Sequence, residues 1–170
     1  MTLKKTLAAL SVATLPLTLA ACGGDNSGSD SASGSGDGIV TVNGSEPHNP
    51  LIPANTNEVG GGRIVDSIYA GLVYYDGDGE AQNELAESIE PNDDNTEFTV
   101  KLKESTFSDG SPVTANNFVD AWNYAVANDQ LNASFFANIK GFEEGVEKME
   151  GLKVVDDHTF TIALNSPEQD

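Results

Sequence analysis

From Gly23 to Gly38 every residue is Gly, Ser, Asp, Asn or Ala, and this run decides where a core can be built. Such a composition has no apolar area to set against the entropy of ordering. It reads as a flexible tether of 16 residues with an r.m.s. reach of roughly 20 to 25 Å. Folding is thereby left to Ile39–Asp170, 132 residues, enough for one hydrophobic core.

Ahead of the tether stands a basic head (Lys4, Lys5), an apolar run from Leu7 to Leu19 and the small-residue exit Leu19-Ala20-Ala21-Cys22. This is the pattern of an export signal over residues 1–21. The run is shorter than the roughly 20 apolar residues a membrane span needs, and Pro16 interrupts it. The exit resembles the lipobox of bacterial lipoproteins, which implies a lipid on Cys22, the first residue after cleavage. Cys22 is the single cysteine of the chain, so no disulfide forms within one molecule. Residues 22–38 are then the lipidated cysteine and its tether, and the protein is expected outside the cytoplasm, lipid-anchored to the cell membrane.

The chain carries 8 basic and 27 acidic residues. Cleavage removes Lys4 and Lys5, leaving six basic residues and a mature net charge of −21. That balance argues against nucleic acid as a partner and against attachment to anionic headgroups through a basic patch.

Within residues 39–170 the periodicities are mixed. Ile39 to Val42 is β-branched and reads as a short strand, and Asn43 to Asn57, with Pro47, Pro50 and Pro53, reads as an ordered loop. Ile64, Val65, Ile68, Tyr69 and Leu72 recur at helical spacing, predicting a helix from Arg63 to Gly71 closed by that glycine. Leu72 to Tyr75 followed by Asp76-Gly77-Asp78-Gly79 predicts a hairpin. Glu97 to Lys103 alternates, which places Phe98, Val100 and Leu102 on a core face. Thr114 is an N-cap for a helix carrying Phe118, Ala121, Trp122, Ala125 and Val126 on its buried side. Trp122 reads as a core residue, with the wall of a ligand site as the other reading. A second helix is expected over Phe142 to Met149, and a last hairpin around Asp156-Asp157-His158. Strands and helices without regular alternation predict a mixed α+β, or α/β, lobe.

Chemistry has little support in these residues. His48 and His158 lie in loops outside any nucleophile motif, and no phosphate-cradling glycine pattern occurs. Asp76, Asp78 and Glu80 resemble the start of a calcium loop, but Glu87, at the loop's twelfth position, falls where strands are expected and not at the flanking helix such a loop requires. No catalytic residue, metal ligand or cofactor site is predicted, and the protein is read as a non-enzyme.

A resemblance supplies what the residues alone do not. Phe98-Thr99-Val100-Lys101-Leu102-Lys103, then Phe107-Ser108-Asp109-Gly110-Ser111-Pro112-Val113-Thr114-Ala115, then the helix Phe118-Val119-Asp120-Ala121-Trp122 closely resemble bacterial extracellular solute-binding proteins of family 5. These are the oligopeptide and dipeptide receptors of ABC importers. Gly44-Ser45-Glu46-Pro47, Ile68-Tyr69-Ala70-Gly71-Leu72 and Val154-Val155-Asp156-Asp157-His158-Thr159-Phe160 extend the likeness over residues 39–170.

The resemblance implies the N-terminal part of a two-lobe periplasmic-binding-protein-like fold, truncated before its second lobe, in a monomeric receptor. The implied partners are a peptide ligand and an ABC permease, with nickel, haem or sugar as ligands of some relatives. Ligand contacts are implied at Asn57, Glu58 and Val59 and at the pair Phe135 and Phe136. The competing expectation is a truncated surface lipoprotein with an adhesion or signalling role, or with no transport function.

Overall fold

The computed structural model describes residues 41–168. The export signal, Cys22, the tether and Ile39–Val40 lie outside the described residues. The folded unit begins at Val42.

The elements follow in the order α1 (Val59–Ile68), β1 (Val73–Tyr75), β2 (Ala81–Asn83), β3 (Ala86–Pro91), β4 (Glu97–Leu102), α2 (Ala115–Ala127), β5 (Leu152–Asp156) and β6 (Thr159–Ala163). Two short 3-10 turns, Pro53–Asn55 and Ala133–Phe136, precede α1 and follow α2. β3, β4, β6 and β5 form an antiparallel four-stranded sheet in that spatial order, and β1 with β2 forms a separate hairpin. No helix among the described residues is long and apolar enough to cross a membrane.

α2 packs on the sheet. Val100 and Leu102 from β4, Phe160 from β6 and Leu152 from β5 meet Ala115, Val119 and Val126 of α2 in one core. Phe160 is fully buried, stacked on Phe118 with ring centres 5.9 Å apart and met edge-on by Trp122 at 5.7 Å. The alternation of β4 is therefore realised. Thr114 and Asn117 close a reciprocal capping box at the start of α2, as expected of that cap. Phe118 and Trp122 are half-buried, whereas Ala121 is exposed and Asn123 is buried. The inner face of α2 keeps Phe118, Trp122, Ala125 and Val126 of the predicted one and takes Val119 and Asn123 in place of Ala121.

That asparagine explains a second departure. Residues 142–149 are not helical. Gly141 (φ 78°) and Gly145 (φ 76°) bend the backbone into the left-handed region, and the buried Asn123 Oδ1 accepts the Met149 N–H at 2.8 Å. Met149 is thereby fixed in the core by a side chain of α2 instead of by helical bonds of its own segment.

α1 begins four residues before the predicted start and ends at Ile68, three before Gly71. Tyr69, extended at φ −115°, closes it by donating its N–H to Val65. Gly71 instead donates its N–H to Glu84 Oε2 at 2.7 Å. Of the strand expected over Ile39 to Val42, the described residues Thr41 and Val42 lack regular structure, and Val42 is 80% exposed. The two hairpins sit where turn chemistry placed them, around residues 76–80 and 157–158.

Candidate ligand-binding face

The loop from Pro47 to Glu58 is ordered by its own polar side chains. The Thr56 hydroxyl lies 2.5 Å from Pro50 O and 2.9 Å from Ile52 O, although Thr56 is buried. Asn49 Nδ2 donates to Asn57 Oδ1 at 3.1 Å. Proline at positions 50 and 53 has no N–H to satisfy, so this compact path leaves few orphan donors.

Glu58 ties the loop to α1. Its Oε2 accepts the Gly61 N–H at 2.8 Å, capping the helix, while Oε1 accepts the His48 N–H at 3.1 Å. The Gly61 N–H, with the His48 N–H adding and desolvation opposing, holds the Glu58 carboxyl below its ordinary value of 4.5. An anion at a helix N-terminus also meets the positive end of the helix dipole.

This crossing accounts for the glycines inside α1. A Cβ on Gly60 would stand 2.7 Å from Ser45 O, and one on Gly61 would meet Thr56 Cγ2 at 2.6 Å as well as the Glu58 carboxylate. Gly62 faces open space. Helical glycine costs stability relative to alanine, so two of the three are explained by the close approach of the loop and the third is not.

The other implied group follows α2. Asp129, at φ 49°, turns the chain back beyond the helix, and Leu131–Asn132 runs against the Pro53–Asn55 turn. Phe136 packs on Trp122 with ring centres 5.7 Å apart, whereas Phe135 is 82% exposed. Val59, at the first position of α1, is 69% exposed.

The five implied residues thus play unequal parts. Glu58 is a helix cap, Phe136 belongs to the aromatic cluster, Asn57 is exposed and holds Asn49, and Val59 and Phe135 present apolar surface to solvent. The loop that carries Asn57 and Glu58 and leads into Val59, and the turn that carries Phe135 and Phe136, are joined by Asn132. Its Nδ2 donates to Pro53 O at 2.9 Å and Thr56 O at 3.0 Å, and its N–H to Ala54 O at 2.9 Å. Neither Asn132 nor Thr56 was found from the sequence, where each is one more polar residue in a polar stretch.

The remaining polar clusters serve their own turns. Asp76 Oδ1 accepts the N–H groups of Asp78 and Glu80, and Oδ2 accepts from Gln82. Those bonds, the one from Glu80 foremost, hold its carboxyl below the ordinary range. Asp109 is likewise engaged by Ser111, and Asp156 by the His158 N–H at its hairpin tip. No group of three or more His, Cys, Asp or Glu side chains is placed to hold a metal ion among the described residues.

A model of the bacterial extracellular solute-binding proteins, family 5 middle, matches residues 80–170. The chain is 32% identical over 166 residues to the oligopeptide-binding protein OppA of Bacillus subtilis, a match spanning 89% of this chain and 30% of the relative. It is 35% identical over 141 residues to the periplasmic oligopeptide-binding protein OppA of Escherichia coli, spanning 76% of this chain and 25% of that one. The structure is similar to Haemophilus influenzae OppA in complex with RPPGFSPFR, with a TM-score of 0.64, 30% identity and coverage of 71% of this chain and 26% of the other. The chain therefore spans about a quarter to a third of the length of these proteins.

Proposed function

The chain belongs to the bacterial extracellular solute-binding proteins of family 5, and from that membership we propose that it is part of a receptor that captures extracellular peptides for an ABC importer. The observation that carries this reading is the joint likeness, in sequence and in fold, to an oligopeptide-binding protein solved with a nonapeptide. The family is one of solute-binding proteins and not of enzymes.

In this reading residues 39–170 form the N-terminal portion of the solute-binding domain. Val59 and Phe135 offer apolar contacts to peptide side chains, and Asn57 offers an amide to the peptide backbone. Peptide backbone groups need a partner for every donor and acceptor removed from water, so one such face retains only part of what a closed site provides. Micromolar affinity corresponds to about 8 kcal/mol, and half of that leaves an affinity of roughly millimolar. Residues 1–21 serve as export signal, and Cys22 carries the lipid that fixes the tethered domain to the outer side of the membrane.

The test is an NMR titration of residues 23–170 with RPPGFSPFR into the millimolar range. Saturating shifts are expected at Asn57, Val59, Phe135 and their neighbours, with none at the hairpin tip around Asp78. Absence of any saturating shift, or shifts led by the hairpin tip, would overturn the reading. Anchoring is checked separately by metabolic labelling with a fatty acid, which should mark the wild-type protein and fail to mark Cys22→Ser.

A further inference from the structure

We propose that Asn132 is a positioning residue that clamps the Pro47–Glu58 loop to the turn Ala133–Phe136, so that Val59 and Phe135 are presented together. The geometry is specific. Both hydrogens of one side-chain amide are used, on Pro53 O at 2.9 Å and Thr56 O at 3.0 Å, and the backbone N–H of the same residue takes Ala54 O at 2.9 Å. Two carbonyl acceptors fix the orientation of the amide, because only its nitrogen can donate to both. Leu131 adds its N–H to Asn55 Oδ1 at 3.3 Å. No other side chain among the described residues bonds the backbone of this loop from so far along the chain, 76 and 79 residues away.

Each side of the clamp lies just before a candidate contact in sequence, with Val59 three residues beyond Thr56 and Phe135 three beyond Asn132. Apart from the N–H groups of Leu131 and Asn132 and the Tyr69 hydroxyl on Leu51 O, the loop rests on local bonds, chiefly those of Thr56 and Glu58. Losing the amide removes two of these long-range bonds and should loosen the loop while leaving the sheet and α2 intact. Asn132→Asp is the sharpest variant, since it keeps the shape, removes both donors and sets a carboxylate against two carbonyls. The role in ligand capture rests on the peptide-binding reading above. The role as a clamp does not.

The experiment has two arms on residues 23–170, comparing wild type with Asn132→Asp and, as a milder change, Asn132→Ala. In the first arm, hydrogen exchange at His48, Asn55 and Gly61 should quicken by on the order of tenfold in either variant, while exchange at Val100 and Phe160 stays within about twofold of wild type. Equal acceleration at all five amides, or none at the loop, would overturn the clamp whatever the ligand. In the second arm, titration with RPPGFSPFR should give wild type one common midpoint for the Val59 and Phe135 shifts, and should weaken that midpoint by about tenfold in the variants. An unchanged midpoint with loosened loop amides would overturn the role in binding and keep the clamp. Failure of wild type to respond to the peptide would count against the proposed function alone, and the exchange arm would still decide the clamp.

Discussion

The sheet with α2 and the segment from Pro47 to Ile68 are held by different physics. In the first, Phe160, Val100 and Val126 are buried almost completely and aromatic rings interlock across the layer. In the second, Val65 is the only buried large apolar side chain of α1 and still 9% exposed, and order comes from Glu58, Thr56 and Asn132 bonding to backbone. Burial is non-directional and tolerant of drift, whereas a bond from a side chain to a carbonyl is made or lost within a few tenths of an ångström. A scaffold of the first kind carrying a binding loop of the second kind suits a surface that must be placed yet remain adjustable.

The largest losses are expected in the layer. Phe160→Ala should cost about 3 to 5 kcal/mol, the range for a fully buried aromatic, read from a denaturant midpoint. Trp122→Ala should cost less than this, because Trp122 is half-buried; an equal or larger loss would show that the layer depends on its rim as much as on its centre. Asn123→Ala leaves the buried Met149 N–H without its partner and should cost roughly 1 to 3 kcal/mol.

The loop region gives smaller effects, one of them of opposite sign. Gly61→Ala forces a methyl against Thr56 and Glu58, and should lower stability by about 1 to 3 kcal/mol through overpacking. Gly62→Ala meets nothing within 4 Å and should raise stability by about 0.5 to 1 kcal/mol. Thermal melts of the two variants, one residue apart, would refute the account of α1 if both moved in the same direction.

The smallest effect is one of pH. Because the folded Glu58 carboxyl is held below its ordinary value of 4.5, the cap and the His48 tie are fully present above that pH and fade as pH falls through the lower, folded value. Protection of the His48 amide, its exchange rate measured against the intrinsic rate at each pH, should then fall as pH drops below 4.5 in wild type and lose that dependence in Glu58→Gln.

The same contrast explains what could be read from the residues alone. The alternation Phe98-Val100-Leu102 and the turn residues at 76–79 and 156–158 specify local geometry, and the structure has them in place. The family motif includes that alternation and the turn at 156–158, which is why it was legible. The start of α1 was not, because Gly60 and Gly61 look like helix breakers until the loop crossing them is known. Phe142 to Met149 has helical spacing, yet two glycines at positive φ and one bond from Asn123 override it. Asn132 acts at a separation of 76 residues, and no local pattern encodes that. Phe135 and Phe136 read alike in sequence, while one is exposed and the other packs on Trp122.

The most direct test of the central claim is photo-crosslinking of residues 23–170 with RPPGFSPFR carrying a benzophenone at either phenylalanine, followed by mass spectrometric mapping of the adducts. Adducts are expected at residues 57–59 and 135–136, suppressed by excess unlabelled peptide. Adducts concentrated on the hairpins at residues 76–80 or 156–158, competed equally well by unlabelled peptide, would contradict the claim.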